Sequence, residues 1–196
     1  MSNRKLSASQ NTSRLLFEGR VISVRLHSVV EPDGVAATRE IIHHRGSAVI
    51  LPRNDDGKVL LVRQFRFAVG AYMWELPAGS LDAGETPLQG SRRELAEETG
   101  CRASSWQKIA EFYPSPGFLS EKMTIYLAEG IRTGTARPES DERIETRWFT
   151  PRECREMIRK GQICDAKTLV GLMCLWDARL RKGSGTAQKT GRKNAR

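Results

Sequence analysis

Three glutamates, Glu94, Glu97 and Glu98, stand within five positions of one short segment. The segment GSLDAGETPLQGSRRELAEETGC, from Gly79 to Cys101, also contains two further acidic residues. Like charges this close on a helix repel each other and destabilise it. Carboxylate oxygens are also ligands that Mg²⁺ prefers, and a bound cation would remove the repulsion. The segment therefore carries either a solvated acidic face, balanced by neighbouring arginines, or a divalent metal site.

The helix that carries these acids has clear predicted ends. Thr86 is a candidate N-cap, Pro87 suits the first helical position, and Gln89 completes a capping box. Gly100 can end the helix, so we predict a helix over residues 87–99. At about 100° per residue, a helical wheel places the three glutamates on a flank away from the apolar side.

The same segment is similar to the Nudix box, the signature of a hydrolase family. Gly79 is followed after five residues by Glu85, and after seven more by the run RELAEETGC at 93–101. The polar and glycine positions match, and only Cys101 replaces the usual aliphatic residue, as a small apolar side chain can. The resemblance implies a Nudix-type fold and cleavage of a nucleoside diphosphate linked to another group, with Mg²⁺ or Mn²⁺ as cofactor.

The resemblance also implies roles for individual residues. Arg93 would be a catalytic residue that orients the glutamates through charge-assisted hydrogen bonds. Glu85 would lie just outside the metal ligands or contact a bound water, and the loop near Ala78 would add a backbone carbonyl. The metal-binding residues implied in this way are Glu94 and Glu98 first, then Glu97, with Glu85 and Ala78 in support.

The segments beside the box resemble the ADP-ribose pyrophosphatase branch of the family. WELPAGSLDAGE at 74–85 and EFYPSPGFLSEKMTIYLAEG at 111–130 carry this resemblance. Pro116 lies fifteen residues after Cys101, where that branch has a proline, and is taken as a substrate-binding residue. The similarity spans roughly residues 15–180 and implies hydrolysis of ADP-ribose to AMP and ribose 5-phosphate.

Two phosphates need cationic partners, and Arg63 and Arg66 lie close before the box. An odd separation on a strand points their side chains to opposite faces, so only one is expected to reach the site. By resemblance we choose Arg66, and we take Glu75 as a polar substrate contact. An adenine would need an aromatic surface, and the choice stays open among Phe17, Phe65, Phe112 and Tyr113.

Attack of water on phosphorus needs a proton acceptor or a metal-activated hydroxide. In the resembled branch the base comes from a loop well after the box, which here is ARPESDERIE at 136–145. Relatives often have an acid at the position of Ser140. We therefore predict Glu142 as the catalytic base, with Glu139 as the second choice.

The remaining pattern predicts an α/β (α+β) fold of the Nudix type, with a mixed central sheet packed between helices. An antiparallel strand region at 14–45 precedes it. We expect a disordered leader at 1–13, one domain at 14–182 and a disordered basic tail at 183–196. The predicted strands cover 20–30, 37–44, 47–52, 58–65, 106–113, 122–129 and 143–149, with helices at 151–160 and 166–182.

The net charge of +9 comes mostly from the ends of the chain. Arg4, Lys5 and six basic residues in 181–196 account for nearly all of it, so no basic groove for nucleic acid is expected. The four cysteines lack zinc-type spacing, and no long apolar run indicates a membrane span. We expect a cytoplasmic enzyme with reduced thiols.

The expected partner is a small nucleotide substrate, and the resemblance implies a homodimer that exchanges N-terminal strands. In such a dimer, residues 14–45 would help to build the partner's site, with Arg39 as a candidate contact. Other Nudix substrates remain alternatives: ADP-sugars, GDP-sugars, NADH, a flavin dinucleotide or dinucleoside polyphosphates. A catalytically silent nucleotide-binding regulator and a basic RNA-binding module are further alternatives, which the intact glutamates and the charge distribution disfavour.

Overall fold

The computed structural model describes residues 9–136 and 143–177. The strands in these ranges are β1 (Ser9–Glu18), β2 (Ile22–Val30), β3 (Ala36–His44), β4 (Ser47–Pro52), β5 (Val59–Arg66), β6 (Ala71–Glu75), β7 (Ala78–Ser80), β8 (Arg102–Phe112), β9 (Met123–Arg132) and β10 (Glu145–Phe149). The helices are α1 (Pro87–Thr99), α2 (Pro151–Arg159) and α3 (Ala166–Trp176).

The strands form three sheets. The first is antiparallel, with the order β1-β2-β3, and the second is antiparallel, with the order β10-β5-β6. The third has the order β7-β4-β9-β8 and is mixed, because β4 and β9 run parallel. The mixed sheet receives α1 on β4 and β7, and α3 on β8, β4 and β9. The expected α+β architecture, with a mixed sheet packed between helices and preceded by antiparallel strands, is confirmed.

Strand β4 lies at the centre of the mixed sheet and is buried along its whole length. Val49 and Leu51 belong to the core cluster that also contains Leu172 of α3. Ile50 belongs to a second cluster with Leu95 of α1. Successive strand residues point to opposite faces, so a continuous apolar strand buried on both sides is what SAVILP encodes.

The element boundaries differ from the predicted ones at several points. The predicted leader at 1–13 overlaps β1, which begins at Ser9. This strand pairs with β2 although its first residues are polar. Strands β6 and β7 were missed, since β7 has only three residues and contains a glycine. Strand β8 begins at Arg102 rather than 106, and α3 is described only to Trp176. The basic tail at 183–196 and residues 1–8 lie outside the described residues.

Within residues 9–136 and 143–177, each helix is too short or too polar to cross a membrane.

Helix α3 is tied to the segment after β6 by one buried hydrogen bond. The backbone N–H of Leu76 donates to Oγ1 of Thr168 at 2.8 Å, and both residues are fully buried. Leu76 lies between β6 and β7, so the threonine hydroxyl takes the place of a strand partner. Gly171, one turn further along α3, leaves room for the Leu76 side chain, since a Cβ there would lie 2.5 Å from Leu76 Cδ1.

We predict that Thr168→Val destabilises the protein by about 1–3 kcal/mol, because it keeps the side-chain shape but leaves the Leu76 N–H buried without an acceptor. Equilibrium unfolding in urea measures this change. Thr146→Val, on the exposed side of β10, is the matched control and should leave the unfolding midpoint nearly unchanged. Equal midpoints for the two variants would contradict the role given to this hydrogen bond.

Candidate active site

Helix α1 begins and ends where the sequence predicts. Thr86 Oγ1 accepts from the backbone N–H of Gln89, and Gln89 Oε1 accepts from the backbone N–H of Thr86, which completes the capping box. Gly100 takes a left-handed conformation with φ 70° and closes the last turn. A glycine suits this conformation because a Cβ would be strained there. The helix is therefore a rigid platform for its glutamates.

The glutamates are more buried than the helical wheel predicts. Glu94 and Glu98 are only 9% and 3% exposed, while the side chain of Glu97 is 41% exposed. The flank points away from the apolar side as predicted, but Glu94 and Glu98 are not solvated there, because β7 packs against it. Ala78 in β7 donates its backbone N–H to Glu98 Oε2 at 3.2 Å. The wheel cannot reveal this contact, since β7 is a separate short strand.

Gly79 lies directly against the buried Glu94 carboxylate. A Cβ added at Gly79 would lie 1.9 Å from Glu94 Oε1 and 2.1 Å from its Cδ. A side chain there would force the Glu94 carboxylate to move, so close approach favours glycine at this position, independently of its own dihedral angles. The first glycine of the motif therefore makes the space in which this carboxylate lies.

Arg93 connects the acids of the helix to the loop before it. Its guanidinium donates to Glu85 through Nε at 3.0 Å and Nη2 at 2.9 Å, and Nη2 also reaches the carbonyl of Ser80. Nη1 donates to Glu94 at 2.7 Å and to Glu97 at 3.1 Å. The hydrogen bonds from Arg93 hold the pKa of Glu85 below its usual range. Such charge-assisted bonds, when bidentate, fix both partners in one geometry.

An open cavity of about 900 Å³ lies in front of these residues. Its wall combines both signs of charge, as hydrolysis of a metal-bound anionic substrate would need. The acidic lining residues are Glu75, Asp82, Glu94, Glu97, Glu121 and Asp165. The basic lining residues are Arg20, Arg45, Arg66, Arg93 and Lys167. Ala78 and Gly79 line it too, whereas Glu85 and Glu98 lie just behind it and contact lining residues.

Arg66 and Arg63 point to opposite faces of β5, as their spacing predicts. Arg66 lines the cavity and donates to Glu75 through Nε at 3.0 Å and Nη2 at 2.7 Å. Arg63 instead lies 4.7 Å from the ring centre of Tyr72 and pairs with Glu145. Glu75 also accepts from Lys167 Nζ at 2.5 Å. The predicted arginine and the predicted glutamate are thus bound to each other at one wall.

Several predicted site residues do not reach this cavity in one chain. Arg39 is half-exposed on β3 and pairs with Glu31, and Pro116 is exposed in the loop before β9. Glu139 and Glu142 lie outside the described residues. Among the described residues, the cavity wall contains no phenylalanine, tyrosine or tryptophan, so none of the four candidate aromatics lines it.

The family is decided by a match to a family model. The model of the NUDIX domain matches residues 43–169, which include strands β4 to β10, helices α1 and α2, and the start of α3. This chain belongs to the Nudix hydrolase family.

The similar proteins agree with this assignment. The ADP-ribose pyrophosphatase of Mycobacterium tuberculosis is 34% identical over 168 residues, 84% of this chain and 81% of that protein. The ADP-ribose pyrophosphatase of Bacillus subtilis is 36% identical over 162 residues, 82% of this chain and 88% of that protein. A solved structure described as an ADP compounds hydrolase has a TM-score of 0.75 at 19% identity, over 86% of this chain and 92% of the other, which supports the fold.

Nudix hydrolases generally need a divalent metal ion, and the donors of this site fit one. Glu94 and Glu97 line the cavity one turn apart with carboxylate oxygens, and Glu98 lies beside Glu94. Among the described residues no three acidic, imidazole or thiolate side chains already converge at metal-site spacing. Carboxylate oxygens on one side of a rigid helix suit a hard divalent cation, which can keep several waters beside them.

Sequence reasoning missed several residues of this Nudix site. Glu121, Asp165, Lys167, Arg20 and Arg45 line the cavity but lie outside the motif. One signal was available: Asp165 precedes a helical pattern at an N-cap position. A second was Lys167 in the first turn of that helix, where the helix dipole disfavours a cation and a partner acid is therefore expected.

We predict that Gly79→Ala lowers the turnover of this Nudix hydrolase by about 10²-fold, because the new Cβ displaces the carboxylate of Glu94, and electrostatic groups of an active site commonly contribute that much. The measurement is kcat at saturating metal and substrate. Gly117→Ala is the control, since nothing lies within 4 Å of the Cβ it would add. If Gly79→Ala keeps parental turnover, Glu94 does not need its observed position.

Proposed function

We propose that this Nudix hydrolase cleaves the pyrophosphate bond of ADP-ribose, giving AMP and ribose 5-phosphate. The observation that carries the proposal is the shared cavity, whose wall brings Glu94 and Glu97 together with Arg66. Carboxylates suit a divalent cation and a guanidinium suits phosphate oxygens, so the wall complements a metal-bound pyrophosphate. The named activity of the two relatives supports ADP-ribose as the substrate.

The proposed metal is Mg²⁺, with Mn²⁺ as a substitute. Glu94, Glu97 and Glu98 would hold it, with Glu85 nearby and the carbonyl of Ala78 as a further oxygen donor. When bound, such a metal neutralises phosphate charge and lowers the pKa of a coordinated water. The fixed positions of Glu94 and Glu98 support this role, since Arg93 donates to the first and the backbone N–H of Ala78 donates to the second.

Other residues of the chain would bind and orient the substrate. Arg66 would donate to a phosphate oxygen from the edge of its guanidinium that faces the cavity. Arg93 would hold Glu94 and Glu97 in place through the hydrogen bonds it already makes. Glu142 is the proposed base that takes a proton from the attacking water, with Glu139 as the second choice. Water then forms a bond to phosphorus as the bridging oxygen leaves.

We also propose a homodimer that exchanges N-terminal strands within residues 14–45. Exposed apolar side chains on β1 support it, namely Leu15 at 43%, Leu16 at 46% and Phe17 at 55%. The cavity of one chain lacks an aromatic surface among its described residues, and adenine recognition needs one. In the proposed dimer, residues 14–45 would help to build the partner's site, with Arg39 as a candidate substrate contact and Phe17 as a candidate aromatic surface, while Pro116 stays a proposed substrate contact. A cytoplasmic location is proposed because the sequence pattern of the four cysteines is typical of reduced thiols, and cell fractionation would test it.

The dimer predicts a molar mass near 44 kDa, twice the 22.0 kDa of one chain. Sedimentation equilibrium at micromolar concentration measures it. Phe17→Asp should shift the equilibrium toward the monomer, because a charge on an apolar contact surface is costly to bury. Asp33→Asn, in the exposed turn between β2 and β3, is the control. A mass of one chain for the parent would refute the proposed dimer.

For the reaction we predict that ADP-ribose is hydrolysed with Mg²⁺ and that excess chelator abolishes the hydrolysis. Products are identified by chromatography as AMP and ribose 5-phosphate. A panel with an ADP-sugar, GDP-mannose, NADH, flavin adenine dinucleotide and a dinucleoside polyphosphate ranks kcat/KM under identical conditions. A higher kcat/KM for another compound moves the substrate assignment to that compound. Absence of turnover for every compound, with nucleotide binding retained, would favour the silent regulator.

Two substitutions, with one control, separate metal ligand from base in the same assay. Glu98→Gln should lower kcat by about 10²–10³-fold and raise the Mg²⁺ concentration needed, because it removes a charge from the metal site. Glu142→Gln should lower kcat by about 10²–10⁴-fold with unchanged metal dependence. Glu156→Gln, in α2 at a half-exposed pair with Arg159, is the control. Parental behaviour of Glu98→Gln would contradict the metal site, and parental kcat for Glu142→Gln would move the base to Glu139.

A further inference from the structure

Four ionic side chains form a chain of contacts between the start of α3 and the cavity wall. Lys167 Nζ donates to Glu75 Oε2 at 2.5 Å and to Asp165 Oδ1 at 3.0 Å. Glu75 in turn accepts from both Nε and Nη2 of Arg66. The sequence positions 66, 75 and 165–167 are far apart, so the fold brings these charges together. We call these four residues the Glu75 network.

Two charges of the Glu75 network are buried, where the desolvation of a charge costs free energy. The side chains of Glu75 and Lys167 are only 2% and 10% exposed. Lys167 is also the second residue of α3, beside the positive end of the helix dipole. A buried charge is tolerated only with close partners of opposite sign. Lys167 is therefore a buried, paired charge and not a surface charge, and we asked what its pairing with Glu75 does for the site.

Glu75 is held as a carboxylate by its two cations. Burial by itself raises the pKa of Glu75, but the hydrogen bond from Arg66 and the charge of Lys167 outweigh it, so the net pKa is below the usual value. Oxygen Oε2 accepts from Lys167 as well as from Arg66, which prevents the carboxylate from rotating. Glu75 thereby presents a fixed pair of oxygens to the arginine.

The fixed carboxylate determines which edge of Arg66 meets the cavity. The Nε and Nη2 edge is used by Glu75, and Nη1 makes no hydrogen bond with any described residue. The side chain is 39% exposed and lines the cavity. Since a guanidinium is planar and rigid, holding one edge also orients the other. The result is a preformed donor on the wall of the cavity.

We propose that Lys167 is a positioning residue, which acts through Glu75 to orient the guanidinium of Arg66 toward a phosphate of the substrate. The proposal deepens the proposed function and rests on it in one respect, that the cavity binds a pyrophosphate. Among the described residues, Glu75 without Lys167 would keep only the half-exposed Arg66 as its side-chain partner. The pair is then free to rotate, and the donor edge of Arg66 loses its defined direction.

The test is a double-mutant cycle between Lys167→Met and Arg66→Lys. Arg66→Lys keeps a cation for Glu75 but removes the two-edged guanidinium. Two readouts are used: the Kd for ADP by calorimetry without divalent ion, and KM and kcat for ADP-ribose with Mg²⁺. The binding readout needs no turnover, so it still decides if ADP-ribose proves not to be the substrate. Lys108→Met, at an exposed pair with Glu111, is the control.

We expect Arg66→Lys to weaken ADP binding about tenfold and Lys167→Met about fivefold, as for loss of a charge-assisted hydrogen bond. In the Arg66→Lys background, Lys167→Met should add less than about twofold, because the group it positions is gone. In turnover, Lys167→Met should raise KM more than it lowers kcat. A merely structural lysine would instead lower the folded fraction, and hence apparent kcat, at unchanged KM.

The proposal would be overturned if the fold-change in Kd of the double variant equals the product of the two single fold-changes. Lys167 would then act on the ligand independently of Arg66. Parental KM and Kd for Lys167→Met would also overturn it. So would failure of the parent to bind ADP, because no phosphate would then meet Arg66. Thermal unfolding gives the folded fraction of each variant. If Lys167→Met does not fold, Lys167→Gln, which keeps a donor without charge, takes its place in the cycle with the same expectations.

Discussion

The close packing of strand β7 against helix α1 is the contact on which the site depends. The carboxylate of Glu94 occupies the space that a side chain at Gly79 would need, and the backbone of Ala78 donates to Glu98. Strand β7 pairs with β4, the buried centre of the mixed sheet. Two glutamates of the helix are therefore positioned by the sheet as well as by the helix. Arg93 reaches the end of the same strand through the carbonyl of Ser80.

The cavity keeps its charges in place by pairing them before any substrate arrives. Arg93 is held by Glu85, Glu94 and Glu97, and Arg66 is held by Glu75, which Lys167 supports. Groups that are already oriented need not reorganise when a phosphate binds, and preorganised electrostatics is usually a large contribution to catalysis. The mutual contacts of these charges offset their desolvation cost, which explains why the wall contains both acidic and basic side chains.

Local rules predict the parts of this protein that depend on neighbouring residues in the chain. The ends of α1 follow from Thr86, Gln89 and Gly100, and the opposite directions of Arg63 and Arg66 follow from strand alternation. Rules of this kind fail for β1, whose first residues are polar and form a strand because β2 offers backbone partners. They also fail for β7, where three residues with a glycine carry too little pattern.

By itself the sequence determined the helix, its motif glutamates, the family and the class of reaction, because these depend on residue types at fixed local spacing. The tertiary structure alone decided that Glu94 and Glu98 are buried, since burial depends on what packs against a flank and not on the flank. It also decided that Lys167 meets Glu75, 92 residues away in the chain. Long-range contacts of this kind follow from the packing of α3 on the sheet. A local sequence pattern cannot show which distant residues this packing brings together.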